Sequence, residues 1–275
     1  MRQALLRRAG HGAASVGVLA LAGLALTALT APVASAQANA QANAQAKGSA
    51  RAKGSAQTVA PSPLVVPDTL AQRLQPCTLC HGAEGRAARQ GYLPRIAGKP
   101  ADYLYQQLLN FRDGRRANAA MADLLALQSD AYLAEMAGYF AALTLPHAPP
   151  PPLSAAPEVL AWGQTLALRG DAGRQLPACS DCHGASLGGR LPAVPSLLGL
   201  PRDYLIAQLG SWRGGSRRAV APDCMAQISR RLSADDISAV ASWLAAQRVP
   251  AGQRAEPPSG QPATIDCGAI APPGP

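Results

Sequence analysis

Cys77-Thr78-Leu79-Cys80-His81 and Cys179-Ser180-Asp181-Cys182-His183 place Cys-x-x-Cys-His twice in one chain of 275 residues. The pattern is that of covalent c-type haem attachment, in which two thiols add to the vinyl groups and the adjacent histidine takes the proximal iron position. The spacing serves the chemistry: the two thioethers hold the haem edge against a turn of helix and bring the next side chain under the iron. Two intact motifs imply two covalent haems, held through Cys77, Cys80, Cys179 and Cys182 with His81 and His183 on the metal. A zinc site would need four ligands in compact pairs, whereas 98 residues separate Cys80 from Cys179. A thioredoxin-like redox pair would follow a strand in a βαβ unit, and neither motif follows strand alternation.

The amino terminus supplies the compartment that this chemistry requires. Arg2, Arg7 and Arg8 form a positive start, Ala13 to Thr30 is apolar, and Ala34-Ser35-Ala36 is a small-residue cleavage signal. Residues 1–36 therefore read as a signal peptide for export to the periplasm, where covalent haem attachment takes place in bacteria. An uncleaved N-terminal anchor is the competing reading, because the apolar stretch touches the lower length limit for a membrane span. The formal net charge of +9 becomes +6 once the three leader arginines are removed. An exported haem protein does not meet genomic DNA, and its basic residues are not interleaved with aromatics, so nucleic acid is excluded as a partner. Mild basicity suits an acidic protein or peripheral association with an anionic membrane surface.

Residues 37–67 have no aromatic and almost no large apolar residue before Val59 and bury too little to offset ordering entropy, which predicts a disordered tether. Pro149 to Pro152 predict a semi-rigid polyproline spacer within a linker at 146–157. On either side of it the chain repeats. Asp102-Tyr103-Leu104, Gln107-Leu108 and Phe111-Arg112 recur 101 residues later as Asp203-Tyr204-Leu205, Gln208-Leu209 and Trp212-Arg213. Leu104, Leu108 and Phe111, like Leu205, Leu209 and Trp212, share one helix face. Ser129 and Ser233 stand as N-caps before helices with apolar faces at Leu133, Met136, Phe140, Leu143 and at Ile237, Val240, Leu244. Each half, 68–145 and 158–249, is thus a small helical unit whose thin core a covalent haem would complete.

Each iron needs a sixth ligand. Met121 lies 40 residues past His81 and Met225 lies 42 past His183, each expected in a loop between two helices. Thioether ligation beside histidine raises a haem's potential. Met136, on the apolar face of its helix, reads as core filler, and His147, in the linker, as a solvated residue rather than a ligand.

The order of these features (CxxCH, a proline loop, a helix, a methionine, a terminal helix) resembles that of class I c-type cytochromes. Doubled, it is similar to the dihaem proteins of the cytochrome c4 type. The likeness covers residues 68–249, with Cys77-x-x-Cys80-His81-Gly82 and Pro94-Arg95-Ile96-Ala97-Gly98 matched by Cys179-x-x-Cys182-His183-Gly184 and Pro195-Ser196-Leu197-Leu198-Gly199. It implies an all-α fold of two tandem class I cytochrome c domains, each wrapped around one covalent haem. It also implies that the carbonyls of Pro94 and Pro195 accept the proximal His Nδ1–H, and that the activity is electron transfer rather than substrate turnover.

Half two departs from the pattern. It inserts three residues between Trp212 and Met225 and places Cys224 directly before that methionine. The Pro/Gly-rich tail, 250–275, carries the last cysteine, Cys267. In an oxidising compartment a Cys224–Cys267 disulfide is the simplest use of the pair and would stabilise by about 4 kcal/mol through loop closure; a Cys224 thiolate on the iron is the other reading. Arg112, Arg115 and Arg116, with Arg213, Arg217, Arg218, Arg230 and Arg231, flank the methionines and read either as a rim that docks acidic redox partners or neutralises propionates, or as a solvated face. Two function classes remain: a periplasmic carrier between a dehydrogenase or respiratory complex and a terminal oxidase or other cytochrome, and a dihaem enzyme such as a peroxidase, which would need an exchangeable iron position and an acid–base group above it.

Overall fold

Proline and small polar side chains decide where the helices begin. The computed structural model describes residues 67–87, 91–152, 155–260 and 265–270; the leader and all of the tether but Pro67 lie outside them. Half one holds α1 (Leu70–Arg73), α2 (Gln75–His81), α3 (Ala101–Arg112), α4 (Ala119–Leu125) and α5 (Asp130–Ala142). Half two holds α6 (Pro157–Leu168), α7 (Cys179–His183), α8 (Arg202–Arg213), α9 (Cys224–Arg231) and α10 (Ala234–Ala245). Among the described residues there is no strand, only isolated bridges, and no helix is long and apolar enough to cross a membrane. Pro100 and Pro201 sit as N-caps of α3 and α8, where a missing N–H costs nothing. Ser129 caps α5, accepting from the Tyr132 N–H at 3.2 Å. Ser233 caps α10 in a reciprocal capping box, its Oγ taking the Asp236 N–H at 3.0 Å while Asp236 accepts the Ser233 N–H at 2.8 Å.

The halves bury separate cores. In half one, Leu104 and Phe111 of α3 pack with Leu125, Leu133, Met136 and Phe140, so Met136 is core. In half two, Leu205 of α8 packs with Leu166 of α6 and with Ile237, Val240 and Leu244 of α10. Helix α6, absent from the sequence expectation, makes the main support of that core by crossing α10. Gly163 is the point of closest approach: a Cβ there would lie 2.2 Å from the Ala239 carbonyl oxygen.

Three corrections follow. Met121 and Met225 are not in loops but in the first turns of α4 and α9, because Asn118 and Asp223 cap those helices just ahead of them, accepting from the Met121 and Ala226 N–H groups, each at 3.0 Å. His147 is not solvated: it is half-buried against Gly199 of half two, and burial, with the nearby Arg95 and Lys99 cations, pushes its imidazole down to about 4. The arginines do not form one rim. Arg112 pairs with Asp113 and Asp130, Arg115 with Asp113 and Asn110. Arg213 and Arg230 are exposed, and Arg116 and Arg217 turn inward between the halves.

That junction joins the two repeats into one compact unit. The backbones meet as Ala117 N–H donates to the Ser216 carbonyl at 2.9 Å and Arg218 N–H to that of Arg115 at 2.7 Å. Around this pairing Arg116 bonds Gln107, Tyr204 and Gln208, at 3.1, 3.1 and 2.7 Å. Arg217 bonds Gln208 at 2.6 Å and Gln107 at 2.9 Å. Each guanidinium also stacks on an aromatic of its own half, Arg116 on Phe111 at 4.4 Å and Arg217 on Trp212 at 3.6 Å.

Candidate functional site

Each half contains one large cavity that brings together the residues its sequence singled out. Cys77, Cys80, His81, Pro94 and Met121 line the cavity of half one. Cys179, Cys182, His183, Pro195 and Met225 line that of half two, which spans about 1550 Å³ out to its solvent mouth. The motif histidines close α2 and α7, and both rings are buried. Nδ1 of His81 lies 2.8 Å from the Pro94 carbonyl oxygen, and Nδ1 of His183 lies 2.8 Å from that of Pro195. A carbonyl can only accept, so Nδ1 carries the proton and Nε2 keeps the lone pair a metal needs. Burial pushes both imidazoles below their ordinary value, against the pull of the proline carbonyls, and so favours the neutral, ligating form. Burial likewise pushes the Cys77 thiol up and the Cys179 thiol up to about 12, holding both as thiols.

The walls fit a haem in shape and in charge. Leu104, Leu108 and Phe111 in one cavity, and Leu205, Leu209 and Trp212 in the other, offer an apolar face to a macrocycle. At the junction, Lys99, Arg116 and Arg217 line the half-one cavity, and no acidic side chain among the described residues does. Lys99 reaches both cavities. Burial pushes its amine down to about 8, as do Arg95, Arg116 and Arg217, with only Tyr204 opposing them. The Trp212 indole N–H is buried without an acceptor at the half-two wall. Grouped cations with no carboxylate beside them and an orphaned N–H are what a ring bearing two propionates satisfies. Cys224 and Cys267 are joined as a disulfide, with their Cα atoms 4.9 Å apart.

Sequence reasoning missed Lys99 and the inward turn of Arg116 and Arg217. Tyr103, Gln107 and Arg116 do recur 101 residues on as Tyr204, Gln208 and Arg217, a signal that could have found the pairing. Lys99 has Leu200 at its equivalent position, and a lone lysine gives no such signal.

Two cavities, each pairing a Cys-x-x-Cys-His helix with a methionine, define the class: a dihaem c-type cytochrome, an electron carrier with two covalently bound haems. Comparison with known proteins refines this. The chain is 39% identical over 172 residues to a thiosulfate dehydrogenase electron acceptor of Thiomonas intermedia, an alignment spanning 62% of this chain and 78% of that protein. It is 33% identical to cytochrome c4 of Pseudomonas aeruginosa, over 61% of this chain and 82% of that one. Among solved structures it is similar to cytochrome c4 of Acidithiobacillus ferrooxidans, with a TM-score of 0.55 and 28% identity over 63% of this chain and 99% of the other. No family model matches the chain. The chain belongs to the cytochrome c4 family.

Proposed function

We propose that this cytochrome works in the periplasm, taking electrons from a periplasmic dehydrogenase, with a thiosulfate-oxidising enzyme as the first candidate, and passing them to a terminal oxidase or another cytochrome. The candidate donor follows from the relative that is a thiosulfate dehydrogenase electron acceptor. One observation carries the carrier reading: each cavity brings a methionine from the first turn of a helix together with its motif histidine, Met121 with His81 and Met225 with His183, while Met136, the second methionine on the half-one wall, is packed into the core. These histidine–methionine pairs are the side chains that would hold each iron, and an iron held by both an imidazole and a thioether would serve electron exchange rather than substrate binding. When bound, each haem supplies reversible one-electron exchange. The chain's own part is to fix the imidazoles through Pro94 and Pro195, to present cations to the propionates through Lys99, Arg116 and Arg217, and to keep water from the metals with the apolar walls.

The peroxidase alternative would need a carboxyl or imidazole free to move protons above an open iron. Asp223 lines the half-two cavity, but both of its carboxylate oxygens are engaged, Oδ1 with the Ala226 N–H and Oδ2 with the Ala219 N–H at 2.7 Å.

Stopped-flow mixing with a thiosulfate dehydrogenase and thiosulfate tests the reading. The expected result is uptake of two electrons per protein, slowed by salt, and negligible turnover of hydrogen peroxide. Peroxide turnover faster than electron uptake would sink it.

A further inference from the structure

The two haem cavities are not built alike. The cavity of half one is walled by its own helices and by the junction, and Tyr92 at its edge is 69% exposed. The cavity of half two has an added wall: Ile265, Cys267, Ala269 and Ile270 of the C-terminal tail line it together with Met225.

The tail is fixed on two sides of that cavity. On the side of the Cys-x-x-Cys-His helix, the Glu256 N–H donates to the Gly189 carbonyl and the Leu191 N–H to that of Glu256, both at 2.8 Å. The Glu256 carboxylate accepts from the Ser186 N–H at 3.1 Å and from Arg190 at 3.3 Å. These contacts hold its carboxyl below the usual carboxylate range. On the methionine side, Cys267 is bonded to Cys224, the residue before Met225. The Gly268 N–H donates to the Pro222 carbonyl at 2.9 Å, and the backbones run so close that a Cβ on Gly268 would lie 2.3 Å from the Ala221 carbonyl oxygen. Met225 is the second residue of α9, whereas Met121 is the third of α4. The disulfide thus grips the helix at its first residue, next to Met225 in the chain.

We infer that Ile265–Ile270 is a strap that holds Met225 in the second haem pocket and shuts that pocket to outside ligands, leaving the first pocket as the more accessible one. The inference rests on Met225 being an iron ligand. The strap acts as a positioning element: Ile265, Ala269 and Ile270 wall the cavity that Met225 lines, and the disulfide keeps them there.

The test is imidazole titration of the oxidised protein in a Met121→His background, where the near-infrared sulfur-to-iron band that remains reports half two alone. Two tail variants are compared with the intact tail: Cys224→Ser with Cys267→Ser, and Gly268→Val, which keeps both cysteines. The intact tail should resist imidazole, and each variant should lose the band at an imidazole concentration lower by about tenfold or more, because the open form of the pocket is then populated. Equal imidazole affinity with and without the strap contacts would overturn the strap. A background protein that folds with two haems but shows no band would overturn the Met225 assignment, and the strap with it, so the two failures are told apart. Should the cysteine variant not accumulate, carbon monoxide binding to the dithionite-reduced native protein before and after phosphine reduction of the disulfide gives the same reading. Faster uptake by one of the two haems supports the strap, and an unchanged rate overturns it.

Discussion

Arg116 of one half donates to Gln208 of the other at 2.7 Å, and the repeat returns the contact as Arg217 to Gln107 at 2.9 Å. The exchange places two guanidinium groups, one of them almost wholly buried, between two haem cavities. Oxidising an iron adds positive charge, so nearby cations favour the reduced state and raise the potential.

The first prediction concerns that charge. Arg217→Met should lower the midpoint potential of at least one haem by about 1 kcal/mol at an effective dielectric near 20, which is tens of millivolts for a one-electron step. Arg217→Lys should keep most of the potential while losing the fork that bridges Gln107 and Gln208, and should therefore lower the thermal midpoint. Spectroelectrochemical titration separates the two effects. Unchanged potentials in Arg217→Met would show that the junction cations do not face the haem carboxylates.

The second prediction concerns the methionines. Met121→His and Met225→His should each remove about half of the near-infrared sulfur-to-iron absorption and lower the potential of one haem, since two-nitrogen ligation favours ferric iron relative to His/Met ligation. A variant that leaves both the band and the potentials unchanged would remove its methionine from the ligand set.

What could be read from the chain, and what could not, follows from the range of each interaction. The Cys-x-x-Cys-His segments are local: covalent chemistry fixes five consecutive residues, so their meaning does not depend on the rest of the fold. The helix faces at Leu104, Phe111, Leu205, Ile237 and Leu244 are nearly as local, because periodicity alone assigns them and all five are buried. Cys224 and Cys267 were paired by elimination rather than by any local pattern. The inward turn of Arg217 was hidden, since an arginine among arginines reads as solvated until a second repeat supplies Gln107 and the Arg116 backbone pairing. His147 was hidden for the same reason: its burial depends on Gly199, 52 residues away. Helix α6 was the remaining gap, although Pro157 as its first residue and Gly163 opposite Ala239 are signs that a helix start and a close helix crossing leave in sequence.

Gly163 gives the third prediction. A side chain there must displace the Ala239 carbonyl or part α6 from α10. Gly163→Val should destabilise half two by about 1–3 kcal/mol, the usual cost of overpacking, despite the better intrinsic helix propensity of valine. Thermal unfolding followed by circular dichroism should show half two melting earlier while half one keeps its midpoint. An unchanged or raised midpoint would mean that the helices cross less tightly than described.

The last prediction concerns acid. Asp236 is buried at the start of α10 and accepts from Trp162 Nε1 at 2.8 Å, from Arg174 at 2.7 Å and from the Ser233 N–H at 2.8 Å. Burial works to raise its carboxyl, but the Arg174 guanidinium and the N–H donors hold it far below the usual carboxylate range. A depressed folded-state value means that its stabilisation is fully present above the unfolded value, about 3.9, and is lost as the pH falls below that toward the folded value. Asp236→Asn keeps the size but offers one acceptor oxygen where the carboxylate offers two, so at neutral pH it should cost about 2–3 kcal/mol by leaving Arg174 and an N–H donor without their charged acceptor. The gap between wild type and variant should stay constant from about pH 7 to about pH 5 and narrow below about pH 3.9. Urea unfolding of half two across that range measures it. A gap that persists undiminished well below pH 3 would place the stabilisation in packing rather than in the carboxylate.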